Sequence, residues 1–208
     1  IQTTPSLLKA KAAEDPVYYG FIGPGSRGSR LLKRHLTNIN VGRCVALCDT
    51  YEKNLKRALK IFKDKETPDA YSDYRRILDR KDIQAVFIAT PLFLHYPIMK
   101  DALQAGKHVF CEKSLVFRPE EVLCLRELHN QHPNQVIQVG LQRRYSDFYS
   151  TAKEIIDSGA IGEITHIHAQ WHRNTNWRRK VKNEKLEEQL NWRLYKKYSG
   201  GLCAELMS

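Results

Sequence analysis

No window of the 208-residue chain approaches the run of about 18 apolar residues that a membrane-spanning helix requires, so a soluble protein without a membrane partner is expected. Cysteine is scarce and odd in number. The five (Cys44, Cys48, Cys111, Cys124 and Cys203) show neither CxxC spacing nor a His-rich ligand pattern, which argues against a disulfide framework and against a metal site. Cys48 and Cys111 close apolar runs, where a buried free thiol is expected. Acidic residues are in deficit, 23 against 34 Lys plus Arg, for a net charge of +11. Such a balance suits nucleic acid, a membrane surface or an anionic small molecule, and composition by itself does not choose among them. Internal repeats and low-complexity tracts are also missing. Ile1 to Pro16 has no periodicity and reads as a linker left by removal of an upstream export signal or tag, which leaves periplasm and cytoplasm both open.

What is present is an alternation of short apolar runs with helical segments. Strands are expected at Val17–Ile22, Cys44–Cys48, Ile83–Ala89, Val109–Cys111 and Val136–Val139. Helices are expected over Ser26–Leu36, Tyr51–Phe62, His95–Ala105 (stopped by Gly106) and Pro119–His132. Continuous apolar strands each followed by a helix imply an α/β fold with a doubly wound parallel sheet. After Gly140 the texture changes. A helix over Tyr149–Asp157 leads to Ile164–Trp171, whose alternation predicts a strand with one wet face. The expected organisation is a linker at 1–16, a Rossmann domain at 17–143, and at 144–208 the opening of an α+β domain with an open mixed sheet.

Gly23-Pro24-Gly25-Ser26-Arg27-Gly28 matches GxGxxG between an expected strand and an expected helix, and Asp49 follows 21 positions after Gly28 at the end of the next strand. Gly23 permits the turn, Gly25 lets backbone approach a pyrophosphate, and Gly28 lets helix pack on strand. The helix start near Ser26 offers free N–H groups and a partial positive charge to phosphate. Asp49 suits ribose hydroxyls and would repel a 2′-phosphate, so NAD is favoured over NADP. Arg27 suits either pyrophosphate or a 2′-phosphate.

Three further segments extend the match. They are Ala89-Thr90-Pro91 with His95, Ala105-Gly106-Lys107-His108-Val109-Phe110-Cys111-Glu112-Lys113, and Gln142-Arg143-Arg144. With Gly20-Phe21-Ile22-Gly23-Pro24-Gly25-Ser26-Arg27-Gly28 they resemble, in order and spacing, the motifs of the Gfo/Idh/MocA oxidoreductases, which include glucose–fructose oxidoreductase and inositol dehydrogenase. The resemblance implies a two-domain enzyme passing hydride between NAD and the carbinol carbon of a sugar or polyol. It implies Lys113 as the catalytic lysine at the reacting hydroxyl, where an ammonium can donate to a developing alkoxide. It places Thr90, Pro91 and His95 by the nicotinamide ribose and Glu112 on the nicotinamide side. Two departures stand out. Ser114 replaces the family's proline, commonly cis-bonded to the lysine. Residues 200–208 resemble its GGxxxDxGxH segment with Glu205 for Asp, and the histidine of that motif would follow Ser208.

The basic excess concentrates in Trp171 to Ser208, where nine Lys and Arg face four Glu. Aromatic and cationic residues alternate there: Trp171-His172-Arg173-Asn174, Trp177-Arg178-Arg179 and Asn191-Trp192-Arg193. Indole faces stack on sugar C–H surfaces and guanidinium groups bind carboxylate, sulfate or phosphate. Arg144, Trp171, His172, Arg173, Trp192, Arg193 and Glu205 are therefore candidate substrate contacts, for a sugar or polyol that is neutral or anionic. Single-stranded nucleic acid uses the same chemistry, but no recognition-module signature accompanies the stretch, so it is disfavoured as a partner. His166 and His168 share a face without a third ligand, so no metal is assigned. A homo-oligomer through the second-domain sheet is expected. An NAD-recycling glycosidase of the same superfamily is the near alternative: sugar oxidation acidifies the adjacent carbon, the glycosidic bond leaves by elimination, and reduction closes the cycle. A non-catalytic NAD sensor or nucleic-acid-binding protein is the alternative of another class.

Overall fold

Six short runs, most of them apolar, lie side by side and parallel, in the order β3-β2-β1-β4-β5-β6. The strands are β1 (Val17–Ile22), β2 (Gly42–Cys48), β3 (Asp69–Tyr71), β4 (Ala85–Ile88), β5 (His108–Glu112) and β6 (Ile137–Gly140). This is a computed structural model, and it describes residues 16–34, 36, 40–116, 118–170, 172, 177–181, 183–201 and 204–205. The helices are α1 (Ser26–Arg34), α2 (Glu52–Leu59), α3 (Arg75–Leu78), α4 (His95–Gln104), α5 (Pro119–Gln131), α6 (Asp147–Asp157), α7 (Glu187–Leu190) and α8 (Lys196–Ser199).

Both sheet faces are covered, as the continuous apolar runs require. On one face Tyr19, Phe21 and Leu47 pack under Leu32 of α1 and Ala58 of α2, and Phe21 and Phe87 stack at 5.9 Å between ring centroids. On the other, Ile22, Val86, Ile88, Val109 and Cys111 meet Met99, Ala102 and Leu103 of α4 and Leu125 and Leu128 of α5. A fully buried aliphatic side chain contributes about 1.5–3 kcal/mol, so these two layers hold most of the stability. Lys107 is buried too, its ammonium donating to the carbonyls of Arg80 (2.7 Å) and Ile83 (2.8 Å), which ties the start of β5 to the entry of β4.

The five expected strands and the doubly wound sheet form, and Gly106 ends α4 at φ +75°. Cys44, Cys48 and Cys111 are buried free thiols, with burial pushing Cys48 up to about 12, whereas Cys124 is exposed. Four of these elements had no expectation, among them α7 and α8, each of four residues. β3 is three partly exposed residues at the sheet edge and α3 is four residues, each too short for a periodic pattern.

One expectation fails. Ile164–Gln170 forms no strand: the stretch is exposed and Ile167 is 81% accessible. Its alternation suits a half-buried strand, but none of the described residues pairs with it, and a strand without a ladder partner has no backbone hydrogen bonds to hold it. Trp171, where that strand was to end, lies outside the described residues.

Candidate cofactor and substrate cleft

The connections leaving β1 and β4 diverge at the C-terminal edge of the sheet, which opens a crevice there. A cavity of about 1350 Å³ occupies it. The three fingerprint glycines divide the work at its floor. Gly23 has φ +83°, and a Cβ there would lie 2.8 Å from the Thr90 nitrogen, so the turn demands glycine on both counts. A Cβ at Gly28 would lie 2.6 Å from the Gly23 oxygen and 2.8 Å from the Phe21 ring, so this glycine lets α1 close on β1. Gly25 is different. Its φ is not positive, and the nearest atom to a Cβ there is Asn54 Nδ2 at 3.8 Å, so the protein's own packing does not need a glycine. The bare backbone instead leaves open space over the mouth of α1, as close approach of a pyrophosphate would require.

Asp49 ends the turn from β2. It accepts from the Tyr51 N–H (2.8 Å) and from Asn54 Nδ2 (2.9 Å), and burial holds its carboxyl above the ordinary range. Asn54 lines the cavity and orients Asp49; a lone amide in a helix carries no sequence signal, so it was not among the expected residues. Thr90 borders the same space, and its buried hydroxyl has no hydrogen-bond partner among the described residues. Open room over Gly25, an oriented acid and an orphaned hydroxyl together fit a dinucleotide.

His95 is only 2% exposed. Its Nδ1 lies 2.7 Å from the Ser114 carbonyl and its Nε2 3.1 Å from that of Thr90. The ring therefore ties the turn after β4 to the turn after β5, and burial lowers its basicity. Glu112 is also buried, and Arg27 donates to it from Nε at 2.8 Å. Arg27 is thus committed to a carboxylate, and its outer nitrogen lies 3.3 Å from Gln142 Oε1. Lys113 follows at once, and the Lys113–Ser114 peptide is cis, the geometry that the resemblance associates with proline at this position.

The second region supplies the opposite wall. The Lys113 ammonium donates to the Glu205 carbonyl, and the Ser114 hydroxyl to the Ala204 carbonyl at 2.5 Å. Glu205 is buried and its carboxylate accepts from Arg193 Nε at 2.6 Å, while the Arg193 guanidinium lies 4.3 Å from the Trp192 ring. Phe93 meets Tyr198 at 4.8 Å between centroids, and Gln189 Nε2 lies 3.3 Å from Thr50 Oγ1, so residues 187–199 rest against the cleft. Arg144, Trp192, Arg193 and Glu205 line the cavity together with Gly23, Gly25, Ser26, Arg27, Asp49, Thr90, Pro91, His95, Glu112 and Lys113. His172 does not; it is exposed on the unpaired stretch, where its Nε2 contacts Gln170 Oε1 at 3.1 Å. Trp171 and Arg173 lie outside the described residues.

Residues 17–141 match the model of the oxidoreductase family with an NAD-binding Rossmann fold, GFO/IDH/MocA, and residues 149–208 match that of the GFO/IDH/MocA C-terminal domain. The chain belongs to the GFO/IDH/MocA family. Inositol 2-dehydrogenase of Gluconacetobacter diazotrophicus is 36% identical over 74% of this chain and 45% of its own length. A glycosyl hydrolase family 109 protein of Shewanella amazonensis is 31% identical over 97% of this chain and 46% of its own. Among solved structures, scyllo-inositol dehydrogenase of Lactobacillus casei with bound NAD(H) and scyllo-inositol is 30% identical, with a TM-score of 0.65 over 73% of this chain and 44% of that one. The chain therefore spans less than half the length of these relatives. As a GFO/IDH/MocA Rossmann domain it is an NAD-binding unit, and among the described residues no helix is long and apolar enough to cross a membrane.

Proposed function

We propose that the protein carrying this chain is an NAD-dependent oxidoreductase that moves hydride between the nicotinamide and the carbinol carbon of a sugar or polyol. The carrying observation is that Lys113, at the end of β5, shares one cavity with Gly25 and Asp49, so a proton-handling group and the dinucleotide floor face the same space. The inositol dehydrogenases among its relatives support the polyol class.

Bound NAD supplies a hydride acceptor, and the chain's residues do the rest. In this reading Asp49, oriented by Asn54, accepts from the adenosine ribose hydroxyls, and α1 presents its N–H groups to the diphosphate. Thr90 and Pro91 border the nicotinamide ribose. Glu112, neutralised by Arg27, shapes the nicotinamide side without leaving an uncompensated charge. Lys113 exchanges its bond to the Glu205 carbonyl for one to the substrate oxygen; as the neutral amine it takes the hydroxyl proton while hydride leaves the carbinol carbon, and as the ammonium it returns that proton in the reverse direction. Arg144, Trp192, Arg193 and Glu205 approach the substrate from the far wall. Residues 144–208 belong to the second domain of this reading.

A second reading has its own observation. A glycosyl hydrolase family 109 protein aligns along 97% of the chain, second region included. On that reading the same Lys113 proton transfer serves reversible oxidation within a glycoside cleavage, and no net reduced cofactor accumulates. Lys113→Ala in the protein carrying this chain tests the role that both readings give this residue. Loss of activity by about two to four orders of magnitude with NAD+ uptake intact is expected for a positioned acid/base, and unchanged turnover would sink the assignment. Reduced nicotinamide accumulating with a polyol marks the dehydrogenase; glycoside cleavage without it marks the recycling enzyme.

A further inference from the structure

The cleft is electrostatically unbalanced. Among the described residues eight Lys and Arg side chains line the cavity against four carboxylates, and every one of those carboxylates is engaged. Asp49 holds Asn54, Glu112 pairs with Arg27, Glu188 with Lys197, and Glu205 with Arg193. Arg27, the fingerprint's own cation, is thus spent on a protein group.

Arg179, on the opposite wall, has no carboxylate partner among the described residues. Its backbone is fixed nevertheless: its N–H donates to Asn191 Oδ1 at 2.7 Å, and Asn191 Nδ2 donates back to its carbonyl at 2.9 Å. Asn191 is 3% exposed, and its amide also donates to Glu187 at 2.9 Å, so the clamp is itself anchored. Desolvation in the cleft, with repulsion from Arg193 and Arg57, disfavours the charge that Arg179 carries. Arg179 lines the same cavity as Gly25 and Ser26 and is exposed to it, and a guanidinium set among cations with no acid partner among the described residues draws an anionic ligand.

We propose that Arg179 reaches across the cleft and is the side-chain counter-ion of the bound dinucleotide's diphosphate. Asp49, half-buried after the end of β2, disfavours a 2′-phosphate, so the diphosphate is the anion an NAD site provides. α1 then holds this group from below with backbone dipoles and Arg179 from above with a formal charge. The residue carries no fingerprint signal, because it lies more than 150 positions after Gly28. The inference rests on the NAD assignment, which wild-type titration with NAD+ tests separately.

The experiment is calorimetric titration of the 208-residue chain and its Arg179→Ala and Arg179→Lys variants with NAD+, ADP and adenosine. Arg179→Ala should weaken NAD+ and ADP about ten- to hundredfold, the range for a hydrogen bond to a charged group, and leave adenosine unchanged. Arg179→Lys should recover part of the loss, and the salt dependence of NAD+ binding should flatten in Arg179→Ala. The proposal is overturned if NAD+ and ADP bind Arg179→Ala as they bind wild type. It is equally overturned if adenosine weakens in parallel. A wild-type chain that takes up no NAD+ removes the cofactor assignment itself, and this proposal with it.

Discussion

Residues 17–140 and residues 144–205 differ in what holds them. In the first, six strands pair edge to edge and bury apolar layers on both faces. In the second, α6 has no buried residue, Phe148 is 76% exposed and Ile167 81%, and residues 187–205 meet the first region at Lys113, Ser114, Phe93 and Thr50. The lesson is that the first region carries its own two-layer core, while the described part of the second meets it at the cleft wall. Burial of apolar surface is cooperative and needs layers on both sides, which α6 and the stretch after it lack.

The sharpest way to break this comparison is to remove the same bulk from each region. Leu103→Ala, in the wholly buried layer under α4, is expected to cost about 2–5 kcal/mol, whereas Ile167→Ala should stay within about 0.5 kcal/mol of wild type. Chemical denaturation measures both, and equal losses would mean that residue 167 is packed in solution. Next in size is the glycine pair. Gly28→Ala should destabilise by about 1–3 kcal/mol, because its methyl meets the Gly23 carbonyl and the Phe21 ring. Gly25→Ala should leave the melting temperature nearly unchanged while weakening NAD+ uptake. Thermal melts beside calorimetry test both, and a Gly25→Ala chain that melts early yet binds normally would reverse the roles given to these glycines.

The smallest effect concerns His95. Its basicity is lowered chiefly by burial, so between its native pKa and the unfolded value near 6.5 the unfolded chain binds the extra proton. Its contribution is complete above that unfolded value and is lost as pH falls toward the native one. Melting temperature should drop from pH 7.5 to pH 5.5, and His95→Gln should flatten the slope over that span. An identical slope in the variant would show that His95 keeps the same protonation in both states.

Much of the first region was legible in advance because its signals are local. Runs of three to seven mostly apolar residues mark all strands but β3, and the glycine fingerprint with Asp49 marks the floor of the cleft. Asn54 and Arg179 were missed among the cleft residues for one reason: their significance lies in what faces them. His95 and Arg27 were anticipated at the site, but their contacts were not. His95 joins two turns, and Arg27 is taken by Glu112 rather than left for a phosphate. His172 was drawn into the substrate set by its aromatic and basic neighbours, and the failure of Ile164–Trp171 as a strand leaves it on an exposed stretch. Alternation along a segment states which face would be buried, and a partner strand must still be there to bury it.

From sequence alone came the doubly wound parallel sheet, the family and the NAD site, since periodicity, glycine conformational freedom and motif order are written along the chain. Only tertiary structure decided which charges pair with each other, that Lys113 meets the 204–205 backbone, and that residues 187–199 wall the cleft. Those outcomes depend on distances between residues far apart in the chain, and electrostatic and hydrogen-bond energies are set by separation in space rather than by order in sequence.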